Sequence, residues 1–322
     1  MSARVLVVDD ILPNVKILEA KLTSEYYEVL TATRPQEALE KVFNEHPDIV
    51  LLDVMMPEMD GFEVCRRIKS NPETSHIPVV MVTALSDSTD RVRGLEAGAD
   101  DFLSKPVNDL ALKARIRSLV RLKMTMDEWR VRERTASTLG VLDEYKSFIE
   151  QSATKARVLL IEDQSYEAEK ISETLRRDSD QVYAVQSGHQ AMEKTVSDTE
   201  GFDLIITSLN LQDEDSLRLC SHLKSSERTR GVPVLMIAEE RDMEHIARGL
   251  ELGANDYMLR PIDRNELLAR VRTQIRRKRF NDSLRRIYEQ SLSMAITDPL
   301  TGLYNRRYLT THMEKLLEKN RS

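Results

Sequence analysis

Short, wholly apolar runs punctuate the chain, and each ends in residues that carry chemistry. Val5 to Val8 runs into Asp9 and Asp10, Ile49 to Leu52 into Asp53, and Ile77-Pro78-Val79-Val80-Met81-Val82 into Thr83. Between them lie longer stretches whose apolar positions recur at three and four, the spacing of amphipathic helices. Uninterrupted apolar runs of this length fit strands covered on both faces, which are found in parallel sheets flanked by helices. The pattern predicts an α/β fold, and in open sheets of that kind the ligand site lies beyond the carboxyl ends of the strands. Asp9, Asp10 and Asp53 are therefore expected to meet at one sheet edge.

Three like charges within a few ångströms raise one another's pKa, so the cluster makes physical sense with a divalent cation among it, and oxygen-only ligands suggest Mg²⁺. Two more groups reach the same edge: Thr83, and Lys105 after Asp101-Phe102-Leu103-Ser104, with Pro106 behind it. An ammonium and a metal together can neutralise a phosphoryl group while a carboxylate attacks it as nucleophile. Asp53, the central acid, is the natural acceptor. Taken singly these residues have blander readings: Asp9-Asp10 as a helix N-cap, Thr83 as a turn hydroxyl, Lys105-Pro106 as a solvated loop, Phe102 as core.

Taken in order, they resemble the receiver domains of bacterial two-component response regulators, whose pattern is acidic pair, phosphoacceptor Asp, Thr or Ser, aromatic, Lys-Pro. Asp53-Val-Met-Met-Pro57, with Asp60-Gly61 after it, and Phe102-Leu-Ser-Lys105-Pro106 match that pattern at its spacing. The resemblance implies a flavodoxin-like (CheY-like), doubly wound parallel five-stranded fold. It also implies Mg²⁺ held by Asp9, Asp10, Asp53 and the backbone carbonyl of Met55, a histidine kinase or phosphotransfer protein as phosphoryl donor, and Thr83 and Phe102 as switch residues.

The chain says most of this twice. Arg157-Val-Leu-Leu-Ile-Glu-Asp163 repeats Arg4-Val-Leu-Val-Val-Asp-Asp10, and Val232-Pro233-Val234-Leu-Met-Ile-Ala238 repeats Ile77-Pro78-Val79-Val-Met-Val-Thr83. A spacing of about 155 residues makes these two domains of one fold and not a solenoid. In the second copy Ser208 stands where Asp53 stood, Ala238 where Thr83 stood and Arg260 where Lys105 stood, while Glu162 and Asp163 keep the acidic pair. A serine cannot form the acyl phosphate, and a guanidinium is a broader, weaker point charge than an ammonium. This copy reads as a non-phosphorylatable adaptor, with Arg260 neutralising the acids in place of a metal.

Length and composition fit that division. At 322 residues and 41% hydrophobic content, the chain can bury two cores and still have helical connectors left over. Cys65 and Cys220 occupy equivalent places in the repeat and read as small buried hydrophobes, giving no disulfide framework. No signal peptide and no apolar stretch of membrane-spanning length is legible, so a cytoplasmic protein with no membrane partner is expected. The helix from Leu110 onward, with Leu112, Ile116, Val120 and Met124 in step, is expected to overrun the first domain. It serves either as a linker packed on that domain or as a dimer contact. A second apolar stripe (Val141, Tyr145, Phe148, Ile149) precedes the polar segment Gln151 to Lys155. Another helix, from Asn265 to about Met294, leaves the second domain with Leu268, Val271, Ile275, Leu284 and Ile287 in step. Its basic middle, Arg276 to Arg279, is read as a solvated face. Nucleic-acid binding is disfavoured by a net charge of −7 and by the lack of any accompanying DNA-binding motif. The expected boundaries are 1–122, a linker 123–155, 156–278, a stalk 279–296, and 297–322.

The last segment opens Thr297-Asp298-Pro299-Leu300-Thr301-Gly302-Leu303-Tyr304-Asn305-Arg306-Arg307, which is similar to the start of GGDEF diguanylate cyclase domains. The whole arrangement resembles PleD-type response regulators. That implies phosphorylation of Asp53, a change on the face formed by the fourth helix, fifth strand and fifth helix (about residues 88–118), dimerisation, and joining of two GTP into cyclic di-GMP by a paired C-terminal domain. No Gly-Gly-Asp/Glu-Glu-Phe occurs in these 322 residues, so this polypeptide is expected to lack a complete cyclase site. The alternative is a stand-alone adaptor that signals by protein contact. An Asp-nucleophile phosphatase is disfavoured because Met55, not an acid, stands two residues after Asp53.

Overall fold

The computed structural model describes residues 3–84, 88–137, 155–178, 181–212 and 215–296, with 301, 303, 305 and 309–310 beyond them. The first domain runs β1 (Arg4–Val8), α1 (Leu12–Ser24), β2 (Glu28–Ala32), α2 (Pro35–Glu45), β3 (Ile49–Asp53), α3 (Gly61–Ser70), β4 (Val79–Thr83), α4 (Ser88–Glu96), β5 (Asp101–Ser104) and α5 (Asp109–Ser137). The second runs β6 (Arg157–Ile161), α6 (Ser165–Arg177), β7 (Gln181–Val185), α7 (Gly188–Ser197), β8 (Leu204–Ser208), α8 (Ser216–Ser225), β9 (Val234–Ala238), α9 (Met243–Glu251), β10 (Asp256–Leu259) and α10 (Arg264–Ile296).

Each domain is a five-stranded sheet, all parallel, in the orders β2-β1-β3-β4-β5 and β7-β6-β8-β9-β10. The apolar runs explain the order. β3 and β4 are buried along their whole length, as are β8 and β9, while β2 and β7, whose residues are mixed, take the edge. Every strand carries helices on both faces, so each domain has two apolar layers, one on either side of its sheet. Helix starts follow local chemistry: Pro13 and Pro35 sit in the first turns of α1 and α2, and Asp60, Ser187 and Asp215 cap α3, α7 and α8 by accepting from backbone N–H groups. Cys65 and Cys220 are buried free thiols on α3 and α8.

Both domains belong to one compact unit (Met1–Thr125 with Lys155–Lys278), and a second comprises Met126–Thr154 with Arg279–Ser322. α5 continues past residue 122 to Ser137, and α10 runs unbroken from Arg264 through the basic stretch to Ile296. The expected stripe at 141–149 and most of the motif at 297–309 lie outside the described residues. Among the described residues no helix is long and apolar enough to cross a membrane.

Candidate functional site at the strand ends

The three acids converge as the patterning predicts. Asp9 and Asp10 follow β1, Asp53 ends β3, and each offers a carboxylate oxygen within 4.8 Å of the other two. The neighbouring placement of β1 and β3 in the sheet brings this about, since their parallel register sets Val8 beside Leu52. α3 must come close behind β3 to close the site: a Cβ on Gly61 would stand 2.2 Å from the carbonyl oxygen of Asp53, so the helix can start there only with glycine.

The three acids are not equivalent. Buried Asp9 accepts from the Ile11 N–H at 2.9 Å and from Asn14 Nδ2 at 3.1 Å, and lies 2.7 Å from Lys105 Nζ. Asp53 is also buried and lies 3.0 Å from the same ammonium. Asp10 has an enclosed Oδ1 with no hydrogen-bond partner. Burial pushes the Asp53 carboxyl above its ordinary value, and the nearby Asp9 charge adds to the rise, against the pull of Lys105. Lys105, although burial opposes its charge, is held above its usual value by Asp9 and Asp53. An orphaned oxygen on Asp10 beside a carboxylate that is costly to ionise is the donor set a hard divalent cation satisfies. These residues therefore fit Mg²⁺, with Asp10 and Asp53 the acids in need of it and Asp9 already occupied by Lys105 and Asn14. Asn14 was not singled out in the sequence, although an amide one turn after an acidic pair is a legible signal.

Thr83 closes β4 and is buried, paired in register with Ser104; its carbonyl accepts from the Lys105 N–H at 2.8 Å. Met55 lies in the loop after β3 with its side chain exposed. Phe102 on β5 is already buried at 7% exposure, and α4 lies against its ring: a Cβ on Gly94 would come 2.1 Å from its Cζ.

At the matching edge of the second domain, Glu162 and Ser208 are buried and Ala238 replaces the threonine. Arg260 lies 2.6 Å from Glu162 and 3.0 Å from Glu167. Glu167 stands where the first domain has Asn14, so the position that feeds a hydrogen bond to Asp9 in one copy supplies a second acid to the guanidinium in the other. Asp163 accepts from the Gln212 N–H at 2.8 Å. Burial raises the Glu162 carboxyl despite Arg260. Asp9, Asp10 and Asp53 are the group of three acids found close enough to share a cation among the described residues.

A family model for the response regulator receiver domain matches residues 5–117 and again 158–272. The chain is 46% identical over 319 residues to response regulator PleD of Caulobacter vibrioides, covering 99% of this chain and 69% of PleD. It is 49% identical over 118 residues to the probable transcriptional regulator ycf27 of Cyanophora paradoxa, covering 37% of this chain and 48% of that protein. Among solved structures, a putative response regulator from Chloroflexus aurantiacus aligns at 34% identity and a TM-score of 0.37, over 38% of this chain and 99% of that one. The chemotaxis response regulator CheY4 of Vibrio cholerae aligns at 30% identity and a TM-score of 0.36, over 37% of this chain and 99% of that one. With two receiver sheets in tandem and a similarity to PleD that runs along nearly all of this chain, the chain belongs to the response regulators of two-component signalling.

Proposed function

We propose that the first receiver accepts a phosphoryl group on Asp53 and the second serves as an unphosphorylated adaptor. The observation that carries this is the meeting of Asp9, Asp10, Asp53 and Lys105 at one edge, set against a second edge where Ser208 replaces the nucleophile and Arg260 already pairs with Glu162 and Glu167. Mg²⁺, when bound, would neutralise the acids and the incoming phosphoryl oxygens. A carboxylate oxygen of Asp53 attacks the phosphorus of a phosphohistidine on a sensor kinase or phosphotransfer protein, the phosphorus–nitrogen bond breaks, and the imidazole leaves with its electron pair. Lys105 bears charge on the transferred group, released in part from its pairing with Asp53. Thr83, at the end of β4, would donate its hydroxyl to a phosphoryl oxygen. In the second receiver neither the nucleophile nor the hydroxyl is present.

The output we assign is dimerisation that activates a C-terminal diguanylate cyclase, on the strength of the Thr297–Leu309 motif. Asp53→Asn should abolish phosphoryl uptake from a labelled low-molecular-weight donor, and Ser208→Ala should leave it at the wild-type level. Label retained by the Asp53 variant would remove the assignment. Light scattering with Mg²⁺, before and after beryllium fluoride, should show the mass doubling; an unchanged mass would break the link between phosphorylation and assembly in these residues.

A further inference from the structure

The two receivers face each other through equivalent elements, α4–β5–α5 of the first and α9–β10–α10 of the second. Arg115 on α5 pairs with Asp101 of its own domain and lies 2.9 Å from Asp256 of the other. Its repeat counterpart Arg270 lies 2.8 Å from Asp256 and 3.2 Å from Asp101. Ala114 packs into the second receiver's core cluster and its counterpart Ala269 into the first's. These contacts are the same whichever domain is viewed first. By themselves they would serve equally well for a first receiver pairing with a second copy of itself.

Two of the ion pairs around them are not symmetric, although a third, Arg117 with Glu251 at 3.1 Å, has the like-charged counterparts Arg272 and Glu96. Arg91 on α4 lies 3.2 Å from Glu266 on α10, but the counterpart of Glu266 is Ala111 and that of Arg91 is Ile246. Arg277 pairs with half-buried Asp100, while their counterparts are Leu122 and Asn255. Two first receivers joined through this face would therefore set Arg91 against alanine, and two second receivers would set Glu266 against isoleucine. Either homotypic pairing enlists the common arginine–aspartate centre but forgoes both of these cross-domain ion pairs on its rim.

We propose that the α4–β5–α5 face of the first receiver is specific for the second receiver and closed to a second copy of itself, with Arg91–Glu266 and Asp100–Arg277 setting the choice. It follows that self-association of this chain uses surfaces other than two such faces brought together. The inference concerns the ground-state pairing and does not depend on phosphorylation of Asp53.

The 322-residue chain carrying Ala111→Glu together with Glu266→Ala has a first receiver complementary to its own copy and a second receiver that no longer engages Arg91. Without any phosphoryl mimic, it should self-associate at least tenfold more tightly by light scattering than the chain with Glu266→Ala alone. Equal association by the two variants would overturn the proposal. Because Ala111 is buried and its replacement can impair folding, hydrogen exchange of the Glu266→Gln chain gives a second reading. Faster exchange is expected in both α4 and the first turns of α10. Glu266 also lies 2.9 Å from Arg270 on its own helix, so a change confined to α10 would show that it serves only that helix and would refute the specificity.

Discussion

Lys69 and Lys224 hold the same place in the two receivers but meet different partners. Both donate to an equivalent backbone carbonyl at 2.7 Å, Ile77 and Val232, but Lys69 also lies 2.7 Å from the Asp100 carboxylate whereas Lys224 donates to the amide oxygen of Asn255 at 2.8 Å. Burial pushes the Lys224 ammonium down to about 8, with the Arg121 charge adding to it and Cys220 opposing. Since its ordinary value is 10.5, the unfolded chain binds more protons than the folded one between those two values. The protonation cost is thus fully present below pH 8, and stability rises with pH across the window above it. Asn255→Asp should return a carboxylate to Lys224, flatten that slope and stabilise the protein by about 1–2 kcal/mol at pH 7, as read from urea unfolding at pH 7 and pH 10. Asp53 works with the opposite sign: its carboxyl is raised, so the folded state loses stability by ionising it as pH climbs through its folded value, and a cation restores what ionisation removes. Mg²⁺ should raise the wild-type unfolding midpoint, and the effect should fade, as pH falls, at a higher pH than an ordinary carboxylate would give. Asp53→Asn should be more stable than wild type without Mg²⁺ and insensitive to it. A midpoint of that variant still rising with Mg²⁺ would place the cation elsewhere.

α10 shows how an element can be legible on one face and hidden on another. Its apolar stripe was expected at Leu268, Val271 and Ile275; Val271 and Ile275 are in the core, but Leu267 takes the first place and Leu268 packs at the margin. The second buried face carries Glu266, Arg270 and Gln274, residues that read as solvent-facing from periodicity alone. They are buried because Asp101 and Asp256 wait opposite them, with Gln274 donating to Asp256 at 3.3 Å. Arg270→Ala would leave two desolvated carboxylates sharing one remaining guanidinium, and a loss of about 3–5 kcal/mol is expected from removing one member of such a cluster. Arg270→Met, which retains the packing of the stem, should lose nearly as much in chemical denaturation if the charge, not the volume, is what matters.

At the scale of the whole molecule, the buried receiver–receiver centre should make the paired domains unfold as one. Mg²⁺ added to the first receiver is then expected to shift a single calorimetric transition, whereas two transitions of which only one moves would show the domains to be energetically independent. The strands, their parallel arrangement, the repeat and the convergence of Asp9, Asp10, Asp53 and Lys105 are all legible in the amino-acid order, because buried parallel strands must be uninterrupted apolar runs and a doubly wound sheet delivers their ends to one edge. Ser208, Ala238 and Arg260 were equally legible, since each stands at a position fixed by register. The tertiary structure alone decided that Asp9 is occupied by Asn14 and Lys105, that Glu167 joins Glu162 around Arg260, and that charged faces of α5 and α10 are interior. A charge in a sequence carries no mark of burial; whether it meets water or a counter-charge depends on a partner that only the folded chain brings within reach.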